Sequence, residues 1–167
     1  MTGRNLAIAL GCSVAAVILQ TTLFVEVKPF GASPNLVLLV VVGSVRYLDP
    51  EPSILLGFTS GLLMDLLGGF PMGMWGLVIT VIAFVSQKLW RRAQEAPALM
   101  LVGVFALTFL GEALFVLLGT LFGQGTLSES GLVRIILLTS TYNAVLAFGV
   151  LPLLSVMLRT RRRTLIP

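Results

Sequence analysis

Six apolar segments, separated by short polar or glycine-rich breaks, follow one another along the chain, and each predicts a helix. They cover about residues 6–25, 35–47, 53–67, 74–90, 97–122 and 132–158. A helix that crosses the hydrocarbon core of a bilayer needs about 20 apolar residues, although a bundle accommodates shorter ones. The second and third segments are short, so we expect them inside a bundle. The alternative is one bent hairpin that enters and leaves by the same face.

The composition predicts a membrane protein. Hydrophobic residues make up 57% of the 167 residues and charged residues 11%, whereas soluble domains contain about 25% charged residues. We therefore predict an all-α integral membrane protein with one polytopic domain over residues 1–167. A signal peptide is the alternative for the first segment, but its apolar run continues past Ala16 to Val25, which favours a membrane helix.

The basic residues predict the orientation. Because cytoplasmic loops hold the excess of Lys and Arg, an even number of spans places both termini in the cytoplasm. Of the 11 basic residues, only Lys28 and Arg134 then fall on the outer side. The basic tail at residues 159–163 is typical of a topology anchor at anionic lipid headgroups, rather than of a nucleic-acid site. The inner side holds Arg4, Arg46, Lys88, Arg91, Arg92, Arg159, Arg161, Arg162 and Arg163.

The chain lacks the residues that common catalytic sites need. It contains no histidine, which removes Ser-His and Cys-His nucleophile pairs and the commonest metal ligand. No Gly-x-x-x-x-Gly-Lys-Ser/Thr phosphate loop occurs, and the single cysteine, Cys12, cannot form an internal disulfide. We predict neither an enzyme nor a cofactor or metal site.

Small residues at a spacing of four predict two helix faces that allow close approach. Gly57 and Gly61 share one face with Asp65, which therefore points at protein rather than at lipid. In the first helix the corresponding face consists of Ala7, Gly11 and Ala15. Each face packs inside the bundle, packs against a partner helix, or lines a substrate path.

Two acidic residues inside the apolar segments need partners, since a charge in the membrane is costly. By depth along the helices, Asp65 matches Arg134, and we predict an ion pair near the outer surface. Glu112 lies deeper and has no cation at its level, so we predict a protonated Glu112 that hydrogen bonds to Asn143 or Tyr142. Ion-coupled transport is a weaker interpretation, because the chain has no inverted repeat of the secondary-transporter kind.

The chain reads Pro-Asn-Leu at residues 34–36, Gly-Phe-x-x-Gly-Leu-x-x-Asp at residues 57–65 and Gly-Phe-Pro-Met-Gly at residues 69–73. These three stretches resemble the MreD family of bacterial rod-shape determinants. Its pattern is Pro-Asp/Asn-Leu, then Gly-Phe-x-x-Gly-Leu-x-x-Asp, then a small-residue turn with Pro-Leu-Gly. The chain is similar at residues 33–36, 57–65 and 69–73, with Asn35 where Asp is common, Gly69 for a frequent Ser-Gly, and Met72 for Leu. The resemblance also extends to the length and to the number of helices.

The resemblance implies a non-catalytic scaffold of the elongation complex that builds lateral peptidoglycan at the bacterial inner membrane. It implies direct binding to the bitopic protein MreC, in an assembly with the RodA glycosyltransferase, its penicillin-binding transpeptidase and MreB filaments. The family fold is similar to the substrate-binding subunits of energy-coupling-factor transporters, in which the first-helix face contacts a partner. Further candidate residues for structure or partner binding are Gly69, Pro71 and Gly73 in the turn after the third helix.

That similarity also supplies the alternative function, a small-molecule-binding subunit of a membrane transporter. Such a subunit needs an outer pocket with hydrogen-bonding groups for its ligand. The predicted outer loops at residues 26–33, 68–73 and 123–131 are short and hold few such groups. This favours the scaffold.

Overall fold

The computed structural model describes residues 2–24, 28–92, 97–124 and 131–158, which form six α-helices and one short 3-10 helix. The predicted six-helix architecture is thus confirmed for these ranges. The basic tail and the predicted end of the first helix at Val25 lie outside the described residues. The 3-10 helix covers Pro29–Gly31, and the α-helices are α1 Thr2–Thr22, α2 Leu36–Val45, α3 Pro50–Gly68, α4 Met74–Arg92, α5 Pro97–Leu121 and α6 Leu132–Leu158.

The third helix begins earlier than predicted. Pro50 occupies its first turn, where a missing N–H removes no intrahelical hydrogen bond, so the proline starts the helix instead of preceding it. Asp49 stands at the N-cap with extended backbone, and its carbonyl accepts from the Ser53 backbone N–H (3.1 Å) and hydroxyl (2.8 Å). Pro50 and Pro52 therefore both belong to the first turn of α3.

Among the described residues, three helices are long and apolar enough to cross a membrane by themselves, in the ranges Gly3–Thr22, Ala98–Leu121 and Leu132–Leu158. This supports the predicted membrane location. The apolar helices α2 and α4 are shorter. The 10 residues of α2 extend only about 15 Å.

The short helix α2 is the centre of the bundle. It contacts all five other α-helices, and nine of its residues, from Val37 to Val45, are buried. A helix surrounded by protein needs neither a polar face nor the full thickness of the bilayer. This position accounts for the nearly continuous apolar sequence of α2.

The two ends of the bundle differ in the residues they hold. At one end, Gln87 and Trp90 of α4 donate hydrogen bonds to the carbonyl oxygens of Leu48 (2.8 Å) and Val42 (2.9 Å) near the end of α2. At the opposite end, here called the turn end, lie the 3-10 helix, the start of α2 and the turn of residues 69–73. We call the first end the basic end, because it holds Arg4, Arg46 and Lys88.

Candidate functional site

The turn between α3 and α4 depends on two glycines. Gly69 follows the last residue of α3 at φ +71°, and Gly73 precedes α4 at φ +93°. Both values lie in the left-handed region, which favours glycine over residues with a side chain. The Gly69 backbone N–H and that of Phe70 (3.2 Å) bond to the Asp65 carbonyl oxygen. The chain thus turns back on itself within five residues.

The carboxylate of Asp65 caps the start of α4. Its Oδ2 accepts hydrogen bonds from the backbone N–H groups of Gly73 (2.9 Å) and Gly76 (3.1 Å), and its Oδ1 accepts from Trp75 (3.0 Å). The first N–H groups of a helix have no intrahelical acceptor, and this end of the helix dipole is positive. The side chain is 1% exposed, so α4 supplies the compensation that the buried charge requires.

The predicted ion pair between Asp65 and Arg134 is therefore wrong. Three backbone N–H groups at the start of α4, those of Gly73, Trp75 and Gly76, bond to the two carboxylate oxygens. Arg134 instead lies exposed in the first turn of α6. A helix N-terminus attracts a carboxylate without any basic side chain. The estimate of depth correctly placed Asp65 and Arg134 at the same end of the bundle, but it did not identify the groups that bond to the Asp65 carboxylate.

The predicted glycine face packs against the backbone of α4. A Cβ atom added at Gly57 would lie 2.9 Å from the carbonyl oxygen of Ile79, and one at Gly61 would lie 2.6 Å from the Cα of Gly76. No side chain larger than hydrogen fits between the two helices at these points. Close contact of the helices then brings the start of α4 within reach of Asp65.

Three aromatic rings connect this hairpin to α5. Trp75 stacks on Phe115 with ring centroids 4.2 Å apart, and Phe70 meets both rings edge-on at 6.3 Å and 5.5 Å. Stacked and edge-to-face pairs of this kind are favourable beyond the area they bury. The turn is therefore held against α5 as well as against its own helices.

A second polar cluster joins α2, α5 and α6 through Asn35. The Asn35 side chain caps α2 by accepting from the Leu38 N–H (3.1 Å), and its Nδ2 donates to Glu112 Oε1 (2.9 Å). The Asn35 backbone N–H donates to Asn143 Oδ1 (3.0 Å), and Asn143 Nδ2 donates to the Asn35 carbonyl (2.9 Å) and to Thr108 Oγ1 (3.1 Å). Asn35 thus connects the two predicted residues, Glu112 and Asn143.

The predicted direct bond from Glu112 to Asn143 or Tyr142 is wrong, since Asn35 lies between them. The Tyr142 hydroxyl instead donates to the carbonyl oxygen of Pro29 (2.9 Å) in the 3-10 helix. The reason is that α2 begins inside the bundle. Its N-cap residue, Asn35, therefore reaches the depth of the Glu112 carboxylate.

Residues 2–161 match the family model of rod shape-determining protein MreD. The chain belongs to the MreD family. Nearly the whole length is covered, which confirms the resemblance found in the turn and helix motifs and implies a role in rod shape determination. MreD is a family of shape-determining membrane proteins and not a known enzyme family. No curated protein and no solved structure matches the chain.

The small-residue face of α1 lies on the outside of this MreD-family chain. Ala7, Gly11 and Ala15 are all exposed, and a Cβ atom added at Gly11 would meet nothing within 4 Å. The face is thus not used for packing inside the described part of the chain. In this respect it differs from the glycine face of α3.

No structural role was predicted for Asn35 from the sequence, although this residue lies in one of the three motifs that resemble the MreD pattern. A signal was present, because Asn directly before an apolar run is a favoured N-cap residue. Thr108 was also missed, since one threonine in an apolar helix has no distinguishing pattern. The described polar groups at these two clusters hold helices together, and they do not form a nucleophile–base pair.

Proposed function

We propose that the protein is a non-catalytic scaffold of the bacterial elongation complex, which binds MreC and helps to organise lateral peptidoglycan synthesis. The observation that carries this proposal is the family match over residues 2–161. The buried polar residues support a structural role, since Asp65, Asn35 and Asn143 all bond to groups within the protein. RodA, its penicillin-binding transpeptidase and MreB belong to the same proposed assembly.

The proposed orientation places both termini in the cytoplasm, with all six helices crossing the inner membrane. The basic end, with Arg4, Arg46 and Lys88, then faces the cytoplasm, as the distribution of basic residues in membrane proteins favours. The turn end, with Lys28 and Arg134, faces the outside. The proposed likeness to substrate-binding subunits of energy-coupling-factor transporters rests on the family resemblance.

For the contact with MreC, we propose the α1 face of Ala7, Gly11 and Ala15. Small residues at a spacing of four let the backbones of two membrane helices approach closely. This face is exposed and spans about two turns of α1, so the single membrane helix of MreC can lie along it. The turn at Gly69, Pro71 and Gly73 is the proposed second contact, on the outer side.

Co-purification with MreC tests the proposal. The variant Gly11→Leu places a large side chain on the α1 face, and we expect it to lose MreC and to fail to restore rod shape in cells that lack the native gene. Gly149→Leu is the matched control, because Gly149 is also an exposed helical glycine with nothing within 4 Å of an added Cβ. It should retain both activities.

Two outcomes would contradict different parts of the proposal. Retention of MreC by Gly11→Leu at a normal membrane level would exclude the α1 face but not the scaffold. Failure of the native protein to co-purify with MreC, together with a tightly bound small molecule or an ATPase pair, would favour the transporter subunit instead.

A further inference from the structure

A cavity of about 180 Å³ opens at the turn end, between the last turn of α1, the residues before α2 and the last turn of α3. Its apolar wall includes Val17, Val37, Met64 and Phe70. A dry apolar cavity of about 150 Å³ is large enough to hold benzene. This cavity therefore accommodates an apolar group of at least that size.

The polar part of the wall offers hydrogen-bond donors and a positive charge. Gln20 Oε1 accepts a hydrogen bond from the Val37 backbone N–H (3.3 Å), which identifies Nε2 as the free end of this amide. No described residue accepts a hydrogen bond from Nε2. Lys28 lines the same cavity and is exposed, and the Ser33 hydroxyl adds a further donor. None of the lining residues that the structure describes is acidic.

We propose that this cavity binds an anionic lipid, with the phosphate at Lys28 and Gln20 and the first carbons of a chain against the apolar wall. A phosphate diester presents only acceptor oxygens, which suits a wall whose free polar groups are donors. The ends of membrane helices lie at the depth of lipid headgroups, where a lysine attracts anionic lipid. The proposal depends on the cavity and its charge, and not on the binding of MreC.

Trp75 provides a reporter for the occupied cavity. Its ring centroid lies 6.3 Å from that of Phe70, which lines the cavity, and its side chain is 3% exposed and hence shielded from bulk lipid. The chain has two tryptophans, so Trp90→Phe leaves Trp75 as the only one. Bromine atoms on the upper part of an acyl chain quench tryptophan fluorescence at short range.

The experiment uses the full-length Trp90→Phe protein in phosphatidylcholine vesicles that contain a small, equal fraction of brominated phosphatidylglycerol or brominated phosphatidylcholine. We expect stronger quenching by the anionic lipid. Lys28→Gln should weaken its apparent affinity about fivefold, the effect of one basic residue near an anionic surface. Arg134→Gln removes the other described cation of the turn end, which does not line the cavity, and should change nothing.

Filling the cavity is an independent arm, because Thr21 lines it from α1. Thr21→Phe should lower quenching by the anionic lipid while circular dichroism shows the same helix content. Equal quenching by the two lipids in the parent protein, or equal effects of Lys28→Gln and Arg134→Gln, would overturn the proposal. Loss of quenching on addition of soluble glycerol phosphate would assign the site to a free phosphate. Loss on addition of the MreC membrane helix would assign it to a protein segment.

Discussion

Replacement of Asp65 by alanine removes the acceptor that caps α4 from another helix. The backbone N–H groups of Gly73, Trp75 and Gly76 lose their bonds of 2.9 Å, 3.0 Å and 3.1 Å together. The site is closed by tight packing of α3 on α4, so water does not readily replace the carboxylate. We expect the folded protein to lose stability while its helix content stays largely the same.

The size of the loss follows from two contributions. Loss of a helix cap costs about 0.5–2 kcal/mol. Loss of the interaction between an anion and a partly buried helix N-terminus adds up to about 2 kcal/mol. Alanine also removes a buried charge, which offsets part of this cost. We therefore expect Asp65→Ala to lower the free energy of unfolding by about 3 kcal/mol. Asp65→Asn should lower it less, because one acceptor oxygen remains.

Unfolding in mixed micelles with increasing SDS, followed by tryptophan fluorescence and circular dichroism, measures this difference. Glu51→Ala is the control, since it removes an exposed carboxylate from the first turn of the same helix. Arg134→Ala should be within about 0.5 kcal/mol of the native protein. If Asp65→Ala were equally mild, the cap would not stabilise the fold. If both variants were costly and the double variant no worse than either, the ion pair would be correct.

The remaining predictions use the same unfolding assay and the restoration of rod shape. Gly61→Ala should destabilise by about 1–3 kcal/mol because its Cβ overlaps α4, whereas Gly149→Ala, with open space, should be neutral or stabilising by up to about 1 kcal/mol. Asn143→Ala should cost about 1–3 kcal/mol, since it leaves the buried backbone N–H of Asn35 unpaired; the Asn35 carbonyl still accepts from the Leu39 N–H. Glu112→Gln should keep both stability and shape, because an amide oxygen still accepts from Asn35. A folded Glu112→Gln protein that failed to restore rod shape would point to proton coupling.

The hydrophobic pattern predicted the six helices well, because each apolar run is bounded by Pro, Gly or charged residues. The face of Gly57, Gly61 and Asp65 was also predictable, since a spacing of four fixes which residues share a helix side. The partner of Asp65 was not. Almost every residue has a backbone N–H group, so the sequence does not reveal which of these groups will bond to a carboxylate. Arg134 was predicted as the partner because it is a basic side chain at a similar depth.

The depth of α2 was the other limit of sequence reasoning. The estimate of depth assumed that every helix starts at the membrane surface, whereas Asn35 starts α2 inside the bundle and meets Glu112 there. The sequence also did not determine whether Gly11 is exposed, because a face of small residues has the same pattern whether it packs inside the bundle or lies on its surface. Only the arrangement of neighbouring helices distinguishes Gly11 from Gly61.

The cap at Asp65 has a consequence for how the protein is made. Its carboxylate bonds to backbone groups at residues 73–76, which leave the ribosome after α3 is complete. Until then α3 would carry an uncompensated charge, and within the described ranges it is not among the helices long and apolar enough to cross a membrane alone. We therefore expect α3 to insert only together with α4, so that the two helices enter the membrane as one hairpin. A ribosome stalled between them would leave α3 outside the bilayer.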